Sequence, residues 1–228
     1  MSGGTRMAGR ARGVSSVEFA FVLLTLTPLT LGTGVIGINM IRTLATVQLA
    51  RDAGHMYAHG LDFSQPGNQT ILATVGSNLG LSATGGSGQA VVILSALTYV
   101  DLNACTLAGA VDSHGNPSGC TNYQKWVFTQ RLVIGNPAVR TSNYGSPLTS
   151  GPTGVKVDST TGKISLSDYV TKAGAVAQFN SINPYSVVNG QAQGLPSGQT
   201  LFLSEAASLG FNMPPFVSNA TTYSYGLF

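Results

Sequence analysis

From Phe19 to Ile41 the chain runs 23 residues without a charge, FAFVLLTLTPLTLGTGVIGINMI. A bilayer needs roughly 20 predominantly apolar residues, so this run is long enough to cross one. Thr25, Thr27, Pro28, Thr30, Gly32, Thr33, Gly34, Gly37 and Asn39 dilute it. Arg6, Arg10 and Arg12 precede it with no acid among them. Such a basic cluster predicts a cytoplasmic N-terminus and an extracytoplasmic remainder.

The same cluster accounts for the net charge. The 228 residues carry 11 Lys+Arg and 8 Asp+Glu, a formal net charge of +3. From Val14 onward there are 8 basic and 8 acidic side chains, so the rest of the chain is neutral. A nucleic-acid surface needs Lys and Arg gathered on one face, and none is visible; no nucleic-acid partner is expected. Charged residues are only 8% of the chain, against about a quarter in ordinary soluble domains. Small polar residues stand in their place: 29 Gly, 23 Ser, 23 Thr and 13 Asn. With 43% hydrophobic residues the composition excludes a disordered chain, which needs low hydrophobicity and high charge.

Three readings of the N-terminal segment compete. A cleaved secretory signal needs a short apolar run and a small-residue site after it, but here the run continues and Gly32-Thr33-Gly34 is a poor site. A plain signal anchor fits better. Neither explains Glu18, an ionisable group at the edge of the span, where such a residue is costly and functional by default. The plain alternative for Glu18 is an acid that starts a helix and favours its dipole.

A basic leader ending in Gly13, then Val14, Glu18, Phe19 and an apolar helix resembles a type IV prepilin N-terminus. The stretch RGVSSVEFAFVLLTLTPLTLGTGVIGINMIRTLATVQLARDAGHMYA resembles more closely the TadE-like family of minor pilins, or pseudopilins, of the tight-adherence pilus. The likeness covers about residues 10 to 60 and is loose beyond them. It implies a leader, 1–13, cut by a prepilin peptidase between Gly13 and Val14. It further implies an inner-membrane assembly platform and other pilin subunits as partners. Cleavage would expose the Val14 ammonium one helical turn from Glu18, in the same or a neighbouring subunit. Pairing would offset the desolvation of both charges. Thr30/Gly34 and Thr33/Gly37 are small pairs at i, i+4 that let helices approach closely, Gly32 adds to them, and Pro28 removes one backbone hydrogen bond.

The helical signal continues past the span. Ile36, Met40, Thr43, Val47, Ala50, Gly54, Tyr57 and Leu61 fall at heptad spacing and mark one stripe of a helix, half of it in the membrane and half against a folded head. A helix from about Ser15 to His59 would measure ~68 Å at 1.5 Å per residue. Asp52, His55 and His59 share another face. A metal there lacks further ligands, and a solvated face is the expectation.

Residues 62–228 read as an extracytoplasmic head. Gln65-Pro66-Gly67 breaks the helix, and Asn68 caps a short helix over 69–79. Ala90–Val100 and Lys125–Ile134 read as strands able to pair as a long hairpin. Residues 135–165 read as loop, 166–180 as a helix, and 200–206 and 221–228 as strands, with Glu205 facing solvent or a strand partner. Cys105 and Cys120 are the only cysteines; in an oxidising compartment they read as one disulfide. No nucleophile elbow, phosphate loop or paired-carboxylate pattern appears, so no enzyme, metal or cofactor is expected.

The sequence therefore predicts an α+β protein: a leader, a transmembrane and stalk helix over 14–61, and a mainly antiparallel β head over 62–228. The expected function is that of a TadE-like minor pilin in assembly, initiation or tip of an adhesive pilus, with a main filament subunit as a variant. It would rest in the inner membrane with its head in the periplasm before assembly, and at the cell surface after it. The alternative is a membrane-anchored, adhesin-like binding module whose loops present Tyr123, Trp126, Tyr144 and Tyr185.

Overall fold

The structure, a computed structural model, describes residues 11–179, 185–188, 191–194, 198–218 and 220–228. Side chains are described from Ser16 onward, except in 185–188 and 191–194. Most of the expected leader, and the Tyr185 side chain, lie outside the described residues.

The protein is α+β, a long N-terminal helix followed by an antiparallel sheet with short helices. Helix α1, Ala11–Ala58, is unbroken for 48 residues and continues through Pro28. It is long and apolar enough to cross a membrane. Its stop signal is Gly60, at φ 87°. The Leu61 N–H bonds to the Met56 carbonyl across this left-handed residue, which satisfies a carbonyl that the helix end would otherwise orphan. The Pro66-containing segment instead opens the next helix, α2, Pro66–Val75. Pro66 stands in its first turn, where a missing N–H costs nothing, so the helix starts before the expected Asn68 cap. Asn68 bonds to the Asp62 carbonyl instead. Gly76 closes α2, and Ser77–Leu79 form one 3₁₀ turn.

The head is built on strands β1, Ala90–Tyr99, and β2, Trp126–Gly135, joined through a short helix α3, Leu102–Leu107. Helix α4, Leu166–Thr171, a small hairpin β3–β4 (Tyr185–Val188 and Gln191–Gly194), and strands β5, Thr200–Leu209, and β6, Thr221–Leu227, complete it. The main sheet is antiparallel in the order β2-β1-β5-β6. β1 and β2 pair as expected, with an irregularity between Ala96 and Leu97.

β1 is apolar almost throughout because both its faces are covered. Val92, Leu94 and Ala96 meet α1 through Leu49, Ala50, Ala53 and Tyr57. Val91 and Ile93 face the other way, against Ala207, Val139 and Tyr223. Leu97 joins a second core under the loops, with Trp126, Phe128, Val155, Val170 and Phe179. Such two-sided burial is what erases the polar alternation of an exposed strand.

One expectation needs correction and a second is met in part. The helix expected over 166–180 ends at Thr171; beyond it, Ala175, Ala177 and Phe179 enter the second core from irregular chain, and Val176 bridges to Val127. The apolar residues after Thr171 are therefore core anchors of irregular chain rather than one face of a helix. Glu205, expected toward solvent or a strand partner, is buried at 1% exposure. Its partners include Tyr223 of β6 but otherwise come from the loop after β2.

Candidate functional site

The feature that sets this chain apart is how α1 divides. From Ser16 to Leu31 every side chain is exposed, among them Phe19, Phe21, Leu24 and Leu29. From Val35 to Tyr57 one face is buried on β5, β6 and β1. One rod thus has a bare apolar half and a half that belongs to the head.

Three threonines of this part of the helix satisfy their own hydroxyls. The hydroxyls of Thr25, Thr30 and Thr33 donate back to the carbonyls of Val22, Leu26 and Leu29 at 2.9–3.0 Å. A threonine bonded in this way presents mainly its methyl group outward. The Thr-rich composition therefore does not contradict an apolar surface.

Gly13 and Val14 lie in the first turns of α1. Glu18 is exposed, and no partner of its carboxylate occurs among the described residues. Phe19 beside it is also exposed. The predicted close-packing glycines separate into two kinds. Gly32 lies under the Phe216 ring, where an added Cβ would sit 3.4 Å from it. Gly34 and Gly37 meet nothing within 4 Å. The small face around them is open in a single chain.

The buried stripe of α1 is turned by one position from the expected one. It runs through Val35, Thr46, Leu49 and Ala53, with Asn39 and Arg42 half-buried between them, while Ile36, Met40 and Thr43 stay exposed. Apolarity alone misplaces the first part of the stripe because the interface there is partly polar. Thr46 Oγ1 lies 3.0 Å from Ser208 Oγ and 2.8 Å from Thr222 Oγ1. Arg42 donates to the Leu209 carbonyl at 2.6 Å. Asn39 exchanges two hydrogen bonds with the backbone of Phe211, at 3.2 and 2.8 Å. These bonds fix the roll of the helix on the sheet, and a hydropathy pattern carries no record of them. Ala50, Gly54 and Tyr57 of the expected stripe are buried. Gly54 is needed where the Phe228 ring crosses the helix, since a Cβ would occupy the ring's place.

On the opposite face of the sheet, the loop after β2 is held by the buried Glu205. The Ser142 hydroxyl, the Asn143 N–H and the Tyr223 hydroxyl donate to its carboxylate. The Arg140 guanidinium stacks on the Tyr223 ring at 4.2 Å. Arg131, reaching Ser95 and Ser146, is held below its ordinary pKa by burial, with the Glu205 charge acting the other way. Burial and the bond to Glu205 raise the Tyr223 phenol. The space there is closed, so this network anchors a loop and admits no ligand.

The cysteines form a disulfide, Cys105–Cys120, which ties α3 to the loop before β2. Asp101 caps α3 by accepting the Ala104 N–H at 2.8 Å. Asp52, His55 and His59 are exposed, and His55 packs against Phe228 at 4.7 Å. No group of three metal-ligating side chains occurs among the described residues. Of the aromatics expected on the head's loops, Trp126 is buried, and Tyr144 packs on Phe179 and Tyr225. No family model, curated protein or solved structure matches the chain.

Proposed function

We propose that this chain is a pilin-like structural subunit, a TadE-like minor pilin that waits in the inner membrane and is drawn into a pilus. The observation that carries the reading is the single helix α1, bare and apolar from Ser16 to Leu31 and packed on the sheet from Val35. A soluble protein gains nothing from such a surface, and exposed apolar areas of this extent mark membrane or protein contacts. The chemistry is non-covalent. The basic leader orients the chain, and a prepilin peptidase releases it at Gly13–Val14. Glu18 then meets the new Val14 amine, in its own subunit or the next. The open faces of Gly34 and Gly37 suit close helix contact in a filament.

The test is the mature N-terminus of the protein made in cells with an active prepilin peptidase. Mass spectrometry finding Val14 first, with Glu18→Ala lost from surface filaments, is the expected result. An intact Met1 together with an unaffected Glu18→Ala variant overturns it.

One observation favours a second reading, an anchored binding module. A polar cleft of about 780 Å³ gathers Lys156, Lys163 and Lys172 with Asp158 and Asp168. For that module the leader stays on and Glu18 is dispensable, so the same measurement separates the two.

A further inference from the structure

The head touches α1 well inside the stretch that carries no charge. Glu18 and Arg42 bracket that stretch, and 24 helical steps between them measure about 36 Å, a close match to a hydrocarbon core of about 30 Å. The segment after β5 reaches down alongside it. Phe211 is bonded to Asn39, and Phe216 lies over Gly32. Those contacts fall about 5 and about 15 Å below Arg42 along the helix axis. If α1 crosses a bilayer between its two charges, this segment cannot stay in water.

Its chemistry suits that position. No charged residue or histidine occurs from Ala206 to Phe228. Phe211 and Phe216 are each 39% exposed although nothing in the fold requires it. Backbone at membrane depth must satisfy its own polar groups, because lipid offers no partner. The N–H groups of Gly210, Phe211, Met213, Phe216, Val217 and Ala220 are bonded within the protein, and Asn212 is the one residue of Phe211–Val217 whose N–H has no partner among the described residues. Pro214 and Pro215 have no N–H to satisfy. Beside the segment, Ile36, Met40 and Leu44 of α1 form an open apolar groove of about 590 Å³ with Val217 and Ala220.

We infer that the segment Phe211–Val217 is a second membrane element, immersed in the outer leaflet with lipid acyl chains filling the groove beside it. The head would then sit on the membrane with a fixed roll, held at two points. This rests on the reading that α1 spans a membrane.

The experiment uses the full chain, with its disulfide intact, in phosphatidylcholine–phosphatidylglycerol vesicles. A polarity-insensitive fluorophore is attached at Phe216→Cys, at Leu26→Cys in the bare helix, or at Gln65→Cys beyond the end of α1. Lipids carrying a spin-label quencher near the headgroup or deep in the tail report depth. Unchanged circular dichroism shows that each labelled chain is folded. The expected result is a Phe216 label quenched several-fold more than the Gln65 label, and best by the shallow quencher, with Leu26 quenched best by the deep one. Quenching at Leu26 without quenching at Phe216 overturns the immersed segment and leaves the spanning helix standing. Disulfide-linked dimers through unlabelled Phe216→Cys, with no quenching of the labelled form, assign the surface to a second copy and also overturn it. No quenching at either position overturns the spanning helix itself.

Discussion

The Tyr223 hydroxyl donates to Glu205 Oε1 at 2.7 Å, across neighbouring strands of the sheet. Glu205 also accepts from Ser142 and Asn143, so one buried carboxylate joins β5, β6 and the loop after β2. Glu205→Ala leaves three donors without an acceptor, at a cost of about 3 kcal/mol. Glu205→Gln keeps the shape and one acceptor oxygen, so it costs less. Thermal unfolding of the detergent-solubilised protein, followed by circular dichroism, should rank them wild type, Gln, Ala. Equal midpoints for the two variants would contradict this account.

The Phe228 ring lies where a side chain at Gly54 would be. Gly54→Ala therefore expels the ring from α1 and loses its contact with His55, at a cost of about 1–3 kcal/mol, as overpacking does. Phe228→Ala alone removes the same contact. In the double variant the two losses are less than additive, because the clash has gone. A double-mutant cycle in urea measures the coupling.

The Cys105–Cys120 bond closes a loop with a sequence separation of 15, for which chain entropy predicts a stabilisation of about 3 kcal/mol. Reduction, or a Cys105→Ser/Cys120→Ser double substitution, should lower the unfolding midpoint by the same amount in each case. The loss should centre on α3 and the second core, where hydrogen exchange at Ala104 and Cys105 would accelerate. Slow exchange at those amides after reduction would show that Asp101 alone holds the helix.

Asp168 sits at the start of α4, 2.8 Å from Lys172. The side-chain bond to Lys172 and then the Lys156 N–H hold its carboxyl below the ordinary 3.8. A depressed pKa in the folded state means that the carboxylate stabilises fully above the unfolded value. That stability is lost as pH falls through the folded value. Midpoints measured down from pH 5 should therefore drop more steeply in the wild type than in Asp168→Asn. At neutral pH the variant should be less stable by roughly 1 kcal/mol, because it has lost a charge-assisted bond. Parallel acid curves would remove Asp168 from the account.

β1 was legible because a run of β-branched and aliphatic residues has few other places to go, and the same holds for β2. The length of α1 was legible from the uncharged run and the heptad-spaced residues beyond it, but its roll was not. The residues that set the roll, Asn39, Arg42 and Thr46, are polar, and their partners on β5, β6 and the segment after β5 are more than 160 positions away. Glu205 was hidden for the same reason, since its donors come from residues 142, 143 and 223. The disulfide could be read because two cysteines allow one pairing. The hairpin β3–β4 was missed; QAQG has no strand-forming residue to announce it. Of the candidate site, Gly32 was named for helix packing but meets a phenylalanine of its own chain. Phe211–Val217 gave no signal except the absence of charge around it.

Thr46 and Thr222 touch, yet they stand 176 positions apart in the chain. At a synthesis rate of 5–20 residues per second, roughly 10–35 s separate their emergence. Through that interval α1 exists without β6, one of the two strands that cover most of its packed face. If its apolar half enters the membrane at once, the lipid holds it like a clamp while the sheet assembles β1, β2 and β5. β6 then closes the head against a helix already fixed in place. Deletion of β6 would therefore leave a chain that inserts normally but whose Thr46 keeps only its Ser208 partner on β5.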